Sequence, residues 1–399
     1  MHVVMEYEVV IIGAGICGLA TAIALHRKGI KTVVFERSET LRNTTGTAIF
    51  IRQNGMRALD QLGVAEPLRH MAIPVQRERE VWLDKGRQKE IPIDGENLCL
   101  RRKHLIDTLY AALPPGTVKF GRQLESIKLD PNTAKHVLRF IDGSSIIAKV
   151  AIGCDGVNSV VAHFLKLKPL RMFSFGEIRG LTRYPSHSFG PEMACFMKSD
   201  NVVGRIPIND NLVSWYCKQP CVVQTDERIW KDPEVLRQST LDMIGDYPQE
   251  IKEMIEKADA NTLSIKHLRY RAPWDLLTDT FCKGTVTVAG DAMHVMAPFL
   301  GQGGSAGLED AVVLARNMAQ MGLDHNESGR RLATKCVGEA FELYVKQRRI
   351  RFFLLSLQSY LIGVLFGTPS RLRKLITIML LAFLFRDPYG HIHYDCGGL

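Results

Sequence analysis

The chain lacks closely paired cysteines with histidines beside them, so no zinc or iron–sulfur ligand set can be assembled from its spacing. Its nine cysteines are scattered, Cys217 and Cys221 forming the nearest pair, and read as buried thiols in a reducing compartment. No apolar or Arg/Ser-rich leader precedes the first strand signal near Tyr7, so the expected address is the cytoplasm. No apolar run reaches the roughly twenty residues that span a bilayer. Internal repeats and low-complexity segments are also missing. Aromatic residues do not interleave with a basic stripe, so the net charge of +9 carries no nucleic-acid signature. What the charge still allows is an anionic membrane surface or an anionic small molecule.

What is present begins with Glu8-Val9-Val10-Ile11-Ile12, a β-branched run of the kind that forms a buried parallel strand. It leads straight into Gly13-Ala14-Gly15-Ile16-Cys17-Gly18, a GxGxxG motif in the setting it requires. Apolar residues at helical spacing follow from Leu19 to Lys28 and stop at Gly29, and Thr32-Val33-Val34-Phe35 reads as the next strand, with Glu36 at its end. Such glycines let the backbone approach a pyrophosphate at a helix N-terminus, and an acid about twenty residues on can hold a ribose hydroxyl. The motif implies a dinucleotide without choosing between FAD and NAD(P).

A second constellation stands far downstream. The strand-like Thr285-Val286-Thr287-Val288-Ala289 ends in Gly290-Asp291-Ala292-Met293-His294, followed by Pro298, by Gly301-Gln302-Gly303-Gly304-Ser305-Ala306-Gly307, and by a helix signalled by Leu308, Ala311, Val312, Leu314 and Ala315. Here the chain resembles the FAD-dependent aromatic hydroxylases, the single-component flavoprotein monooxygenases, whose pattern runs GDAxH, a proline, then GQGxNxGxxDA. Asp291, Pro298, Gly301, Gln302, Gly303, Gly307, Asp310 and Ala311 match, while Ser305 and Met293 depart from the usual Asn and Ala in the manner of the plant branch. The resemblance covers about Glu6 to Arg351. It implies that Gly290 and Asp291 hold the ribityl chain of FAD and that the Gly301 to Gly304 loop lies at the pyrimidine edge of the flavin. It also implies that Asp155 and Gly156, in Gly153-Cys154-Asp155-Gly156, help hold FAD and a transient NAD(P)H, and that Arg102 contacts FAD. Arg37, beside Glu36, is a further candidate. Ordinary turns and solvated charges remain the alternative for Asp155, Arg37 and Arg102.

The expected fold is α/β: a Rossmann-like FAD-binding domain with a parallel sheet, p-hydroxybenzoate-hydroxylase-like by resemblance, carrying an inserted mixed or antiparallel substrate domain. Residues 1–72, 97–170 and 264–350 would form the first, 73–96 and 171–263 the second, and 351–399 a C-terminal helical region. Val202 to Ile206 and Leu212 to Cys217 read as strands of the insert. Phe352 to Phe366 and Leu375 to Phe385 are apolar runs with basic flanks. They can pack on the cofactor domain or lie on an anionic membrane, so peripheral membrane contact through 351–385 is one expectation.

The resemblance implies an enzyme that uses NAD(P)H, with NADPH favoured, to reduce FAD. O2 then gives a flavin C4a-hydroperoxide that hydroxylates or epoxidises an electron-rich, lipophilic small molecule. The cofactor carries that chemistry, so no protein nucleophile is needed. Arg179, in Gly176-Glu177-Ile178-Arg179-Gly180, is the catalytic candidate, and Trp215 and Tyr216 are candidate pocket walls. His294 is expected to be structural. Rival readings are a flavin reductase of isoprenoid double bonds and a non-catalytic FAD-binding sensor or scaffold. A flavin halogenase is disfavoured because Trp82, Trp215, Trp230 and Trp274 stand alone, and a disulfide reductase because Cys17 has no neighbour in sequence.

Overall fold

Apolar β-branched runs build one sheet, and strands of period two build another. In the computed structural model, which describes residues 5–41, 48–131, 133, 135–186, 189–220, 232–321, 323–326, 329–332 and 334–399, Met5–Ile12 pairs in parallel with Val33–Phe35 and with Ser145–Gly153. Val286–Val288 continues the parallel set beyond Ser145–Gly153, and Val118–Lys119 beyond Val33–Phe35. Cys221 and Trp230 lie outside the described residues. The helix Ile16–Arg27 packs on this sheet, and the helix Gly303–Met321 is wedged between it and the long helix Thr334–Gly367. The resulting core includes Val10, Ile11, Leu19, Leu308, Val312 and Phe352, all essentially inaccessible.

The second sheet runs Ser264–Tyr270, Arg171–Arg183, Leu212–Pro220, Asn201–Asn209, Glu192–Lys198, Arg77–Trp82, Arg87–Pro92. Its neighbours are antiparallel except Glu192–Lys198 and Arg77–Trp82, which makes it mixed. Alternation sorts its side chains. Ile178, Val203, Val213, Trp215 and Cys217 face a cover that includes Leu236, Ile251, Met254 and Ile255. Leu181, Met193, Ile208 and Leu212 on the opposite face pack with Phe50 and Cys99 of the first domain. By register, Glu177, Arg179, Cys195, Gly204 and Tyr216 share that second face.

Three expectations change. Segment 264–270, assigned from the sequence to the FAD-binding domain, is an edge strand of the second sheet, paired with Arg171–Arg183. The expected boundary at 350/351 falls inside a single helix, Thr334–Gly367. The basic cluster that reads as a break does not end the helix, because Arg348 turns inward onto carboxylates while Tyr344 and Phe352 stay fully buried around it. By length and composition Lys335–Gly367 could cross a membrane, though Phe352 and Leu355 are buried in the protein core. Trp215 is not a pocket wall. It is 1% exposed on the helix-covered face, with Nε1 donating to Thr182 Oγ1 at 3.0 Å.

Candidate cofactor and active site

The glycine fingerprint is shaped by two contacts and one opening. Gly13 has φ +100°, and a Cβ there would lie 2.5 Å from the Cys154 carbonyl oxygen. At Gly18 a Cβ would lie 1.9 Å from the Gly13 carbonyl oxygen. At Gly15 a Cβ would meet nothing within 4 Å. The turn therefore leaves a space at its middle glycine, as backbone approach to a pyrophosphate requires. Glu36 is 7% exposed; one carboxylate oxygen accepts from the Ala14 N–H at 2.8 Å and the other from the Ser38 N–H at 3.0 Å. Because that acid braces the turn, Glu36→Ala is expected to weaken FAD binding by roughly 1.5–3 kcal/mol, the cost of a hydrogen bond to a charged group. A fluorescence titration of apoprotein with FAD measures it, and unchanged affinity removes Glu36 from the site. Arg37 is exposed on the surface beside it.

The motifs expected to converge do so at the C-terminal ends of adjacent parallel strands, where open α/β sheets bind ligands. Gly290 has φ +63°, packs against Cys17, and donates its N–H to Asp310 Oδ2 at 2.9 Å. Asp291 follows it with an exposed side chain, within electrostatic range of the Arg102 guanidinium. Burial lowers the Arg102 pKa and Asp291 opposes that shift. Asp155 uses its carboxylate locally, accepting from Ser159 Oγ at 2.5 Å and the Val160 N–H at 2.7 Å, so its geometry is that of a turn and cap. Burial raises its pKa against those bonds. Gly156, beside it, has open space at its Cβ position. Pro298 is exposed and begins the turn Pro298–Leu300. Gly301 follows with φ +62°, Gly303 faces open space, and a Cβ on Gly304 would strike Ile49 at 2.6 Å. Gln302 is buried and exchanges amide hydrogen bonds with Asn54 at 2.8 and 3.2 Å. The donor set and the open glycines fit a dinucleotide bearing a polar ring.

A buried ionic network beneath the loop was missed in the sequence. Arg348 Nη2 lies 2.5 Å from Glu309 Oε2 and its Nε 2.9 Å from Asp310 Oδ1, while Arg351 Nη2 reaches Glu309 Oε1 at 3.0 Å. Asn54 Nδ2 donates to Glu309 Oε1 as well as to Gln302, linking the ions to the loop. His294 Nε2 is 2.7 Å from Asp310 Oδ2, and its ring stacks on Phe352 at 3.8 Å, which is a structural placement. Burial would raise the Asp310 pKa, but His294 and Arg348 hold it below the usual aspartate value. The available signal was Glu309-Asp310 inside an apolar helix, matched by Arg348 and Arg351 one turn apart.

Distance in sequence also hid a thiol pair. Cys154 comes within interaction range of Cys17, so the premise that Cys17 stands alone does not hold in space. The neighbouring Cys154 thiol, together with burial, pushes the Cys17 thiol well above its ordinary pKa. A protonated thiol is a poor nucleophile, so Cys17 has no thiolate character.

The inner face of the second sheet comes within electrostatic range of the cofactor domain, Tyr216 of Arg52 and Lys266 of Arg102. Arg179 donates from Nε to Glu177 Oε2 at 3.0 Å and from Nη2 to the same oxygen at 2.5 Å. Lys266, exposed at the edge of the same face, has its pKa lowered by partial desolvation and by the cations of Arg179 and Arg102. Burial holds the Tyr216 phenol well above its ordinary pKa, so it is a neutral hydroxyl at physiological pH. Cations on a partly buried face stabilise electron-rich groups more strongly than they do in bulk water.

Residues 6–332 match the family described as "FAD binding domain". The chain is 44% identical to Monooxygenase 1 of Arabidopsis thaliana over 399 residues, covering 99% of this chain and 100% of that protein. Monooxygenase 2 of the same plant is 32% identical, with 98% of each chain covered. Among solved structures, Klebsiella pneumoniae HpxO complexed with FAD and uric acid superposes with a TM-score of 0.80 at 21% identity, covering 97% of this chain and 96% of that one. That likeness concerns the fold. With the fingerprint, the loop and the two-sheet architecture in agreement, the chain belongs to the FAD-dependent monooxygenases and to their plant branch.

Proposed function

We propose that this enzyme uses NADPH and O2 to insert one oxygen atom, by hydroxylation or epoxidation, into an electron-rich small molecule with an apolar body. The observation that carries this reading is the face of the second sheet bearing Arg179, Tyr216 and Lys266, with Tyr216 in electrostatic range of Arg52, which borders Gly301, and Lys266 in range of Arg102. Gly13, Gly15, Gly18, Glu36, Arg102, Asp155, Gly156, Gly290, Asp291 and the Pro298–Gly304 segment would hold FAD. When bound, FAD supplies the redox and oxygen chemistry. The chain supplies what surrounds it. The sheet excludes water, Arg179 and Lys266 favour negative charge near the loop, and Tyr216 offers a hydroxyl donor to a substrate oxygen. Glu177 holds the Arg179 fork in place and tempers its charge. The decisive experiment follows NADPH oxidation under 18O2 with mass analysis of products from a panel of phenols, indoles and alkenes. One heavy oxygen per product molecule is expected. Alkene saturation without oxygen would mark a reductase, and no NADPH oxidation under any condition would mark a binding protein.

A second reading concerns location: a cytoplasmic enzyme held at a membrane surface. The helix Arg371–Leu384 contains no acidic residue and buries only Thr377, while Leu372, Leu375, Met379 and Phe383 are 67, 54, 55 and 73% exposed. Arg371, Arg373 and Arg386 flank it. Apolar residues around most of a helix with basic ends suit the interface of an anionic bilayer. The protein is expected to float with anionic phosphatidylserine vesicles at low salt and to stay behind with neutral ones, and Leu375→Asp with Phe383→Asp should abolish flotation. Wild-type protein that stays at the bottom of the gradient with both kinds of vesicle ends this reading.

A further inference from the structure

The helix Arg371–Leu384 hangs between two anchors of unequal strength. Behind it the chain returns to the core. Pro388 O accepts from Gln358 Nε2 at 3.0 Å, His391 O accepts from Arg351 Nη2 at 2.8 Å, and the Tyr389 hydroxyl donates to Glu78 of the second sheet. Ile392 is fully buried there, in one cluster with Phe50 and with Leu181, Met193, Ile208 and Leu212 of the sheet. The front end is held more lightly. Lys218 Nζ donates to Phe366 O at 2.7 Å, and Lys374 pairs with Asp200 at 2.9 Å, with 33 and 69% of those two side chains exposed. A surface pair of this kind adds little stability, and anionic lipid headgroups compete for its cation.

That lighter anchor adjoins the flavin loop. Phe366, partly buried at the end of Thr334–Gly367, has its ring centroid 5.8 Å from that of Phe299, which stands in the turn Pro298–Leu300 directly before Gly301. Phe299 in turn lies 6.0 Å from Phe175 and 5.9 Å from Phe173, at the start of the strand Arg171–Arg183. A Cβ on Gly363 would strike the Phe173 ring, and one on Gly367 would lie 3.1 Å from that of Phe175, so the long helix seats both rings against bare backbone. A continuous aromatic seam therefore runs from the foot of the exposed helix to the flavin loop.

We infer that an anionic bilayer is the partner of Arg371–Leu384 and that docking opens this seam at the flavin loop. The inference rests on the membrane-surface reading and adds a consequence to it. The helix has no acidic residue, carries Arg371, Arg373 and Arg386 at its ends, and exposes apolar side chains around most of its circumference, which matches a headgroup boundary. Seating those side chains in the bilayer exchanges Asp200 for lipid phosphate at Lys374 and draws the front end away from the body. The rear anchor holds, so the helix pivots about residues 388–392 and Phe366 parts from Phe299. Access to the flavin end is thereby tied to the membrane-bound enzyme.

The test is amide hydrogen exchange, read by mass spectrometry on the FAD-loaded protein alone, with mixed phosphatidylserine and phosphatidylcholine vesicles, and with pure phosphatidylcholine vesicles. Exchange in residues 296–301 is expected to rise by about two- to tenfold on the anionic vesicles only, the change that loss of one aromatic pair produces in a local opening equilibrium. Residues 389–392 should keep their solution rates. Phe366→Leu, which keeps the apolar bulk and removes the ring pair, should still float, yet exchange fast in 296–301 without vesicles and show no further rise on them. Leu375→Asp with Phe383→Asp should show solution rates throughout. Flotation with no change in 296–301 overturns the inference and leaves the location reading standing, whereas absence of flotation ends both. A rise that spreads equally to 389–392, or one that Phe366→Leu leaves intact, also overturns it, because the opening then does not run through this seam.

Discussion

Gly15→Ala is expected to yield a folded protein that purifies without colour. The Gly15 backbone is extended, with φ −77° and ψ −176°, a conformation alanine adopts freely, and the added Cβ would touch no protein atom within 4 Å. Nothing in the fold resists the methyl group. What it enters is the space through which the fingerprint backbone reaches a pyrophosphate, so the loss falls on FAD alone. Affinity should drop by at least about tenfold, the cost of one charge-assisted hydrogen bond, with an unchanged apoprotein melting curve. Gly18→Ala is the contrast: its Cβ would fall 1.9 Å from the Gly13 carbonyl oxygen, and Gly13 is itself pinned against Cys154. That variant should lose both flavin and stability. A yellow Gly15→Ala protein with wild-type FAD affinity would show that the cofactor does not approach this turn.

Arg348→Met should destabilise the enzyme by about 3–5 kcal/mol, the cost of leaving buried carboxylates without their cation. For a chain of this size the melting midpoint would fall on the order of 5 °C. Arg348→Lys should rescue little, because a single ammonium cannot hold Glu309 and Asp310 through a fixed fork. The acid limb gives a second readout. The Asp310 pKa is depressed in the folded state, so its contribution is fully present above the unfolded aspartate value, near ~3.9, and is lost as pH falls through the lower folded value. Without Arg348 the folded value rises toward the unfolded one, and the acid-sensitive part of the stability shrinks. Urea midpoints measured from pH 6 down to pH 3 would show it. A variant with wild-type midpoints would mean that the network is neutral for stability.

The sequence by itself determined the cofactor half of this protein. Glu8 to Ile12, the three glycines and Glu36 act through local backbone geometry and short-range packing, so their order along the chain already states what they do. The same holds for Gly290 to Gly304, whose turns follow from residues without side chains. Alternation also marked Val202 to Ile206 and Leu212 to Cys217 as strands, yet it could not say which face lay toward the cofactor domain; register against Arg171–Arg183 and Asn201–Asn209 put Tyr216 on that face and Trp215 on the other. Only the tertiary structure decided the rest, because those features depend on partners dozens to hundreds of residues apart. Arg348 is one cation in a basic run of the sequence until Glu309 and Asp310 neutralise it in the core. Cys17 looks solitary until Cys154 arrives from another strand. No motif marks Arg52, and only the packing of Phe50, Gly301 and Tyr389 around it makes it a buried cation. Burial sets the energetic meaning of each of these charges and thiols, and burial is a property of the packed chain.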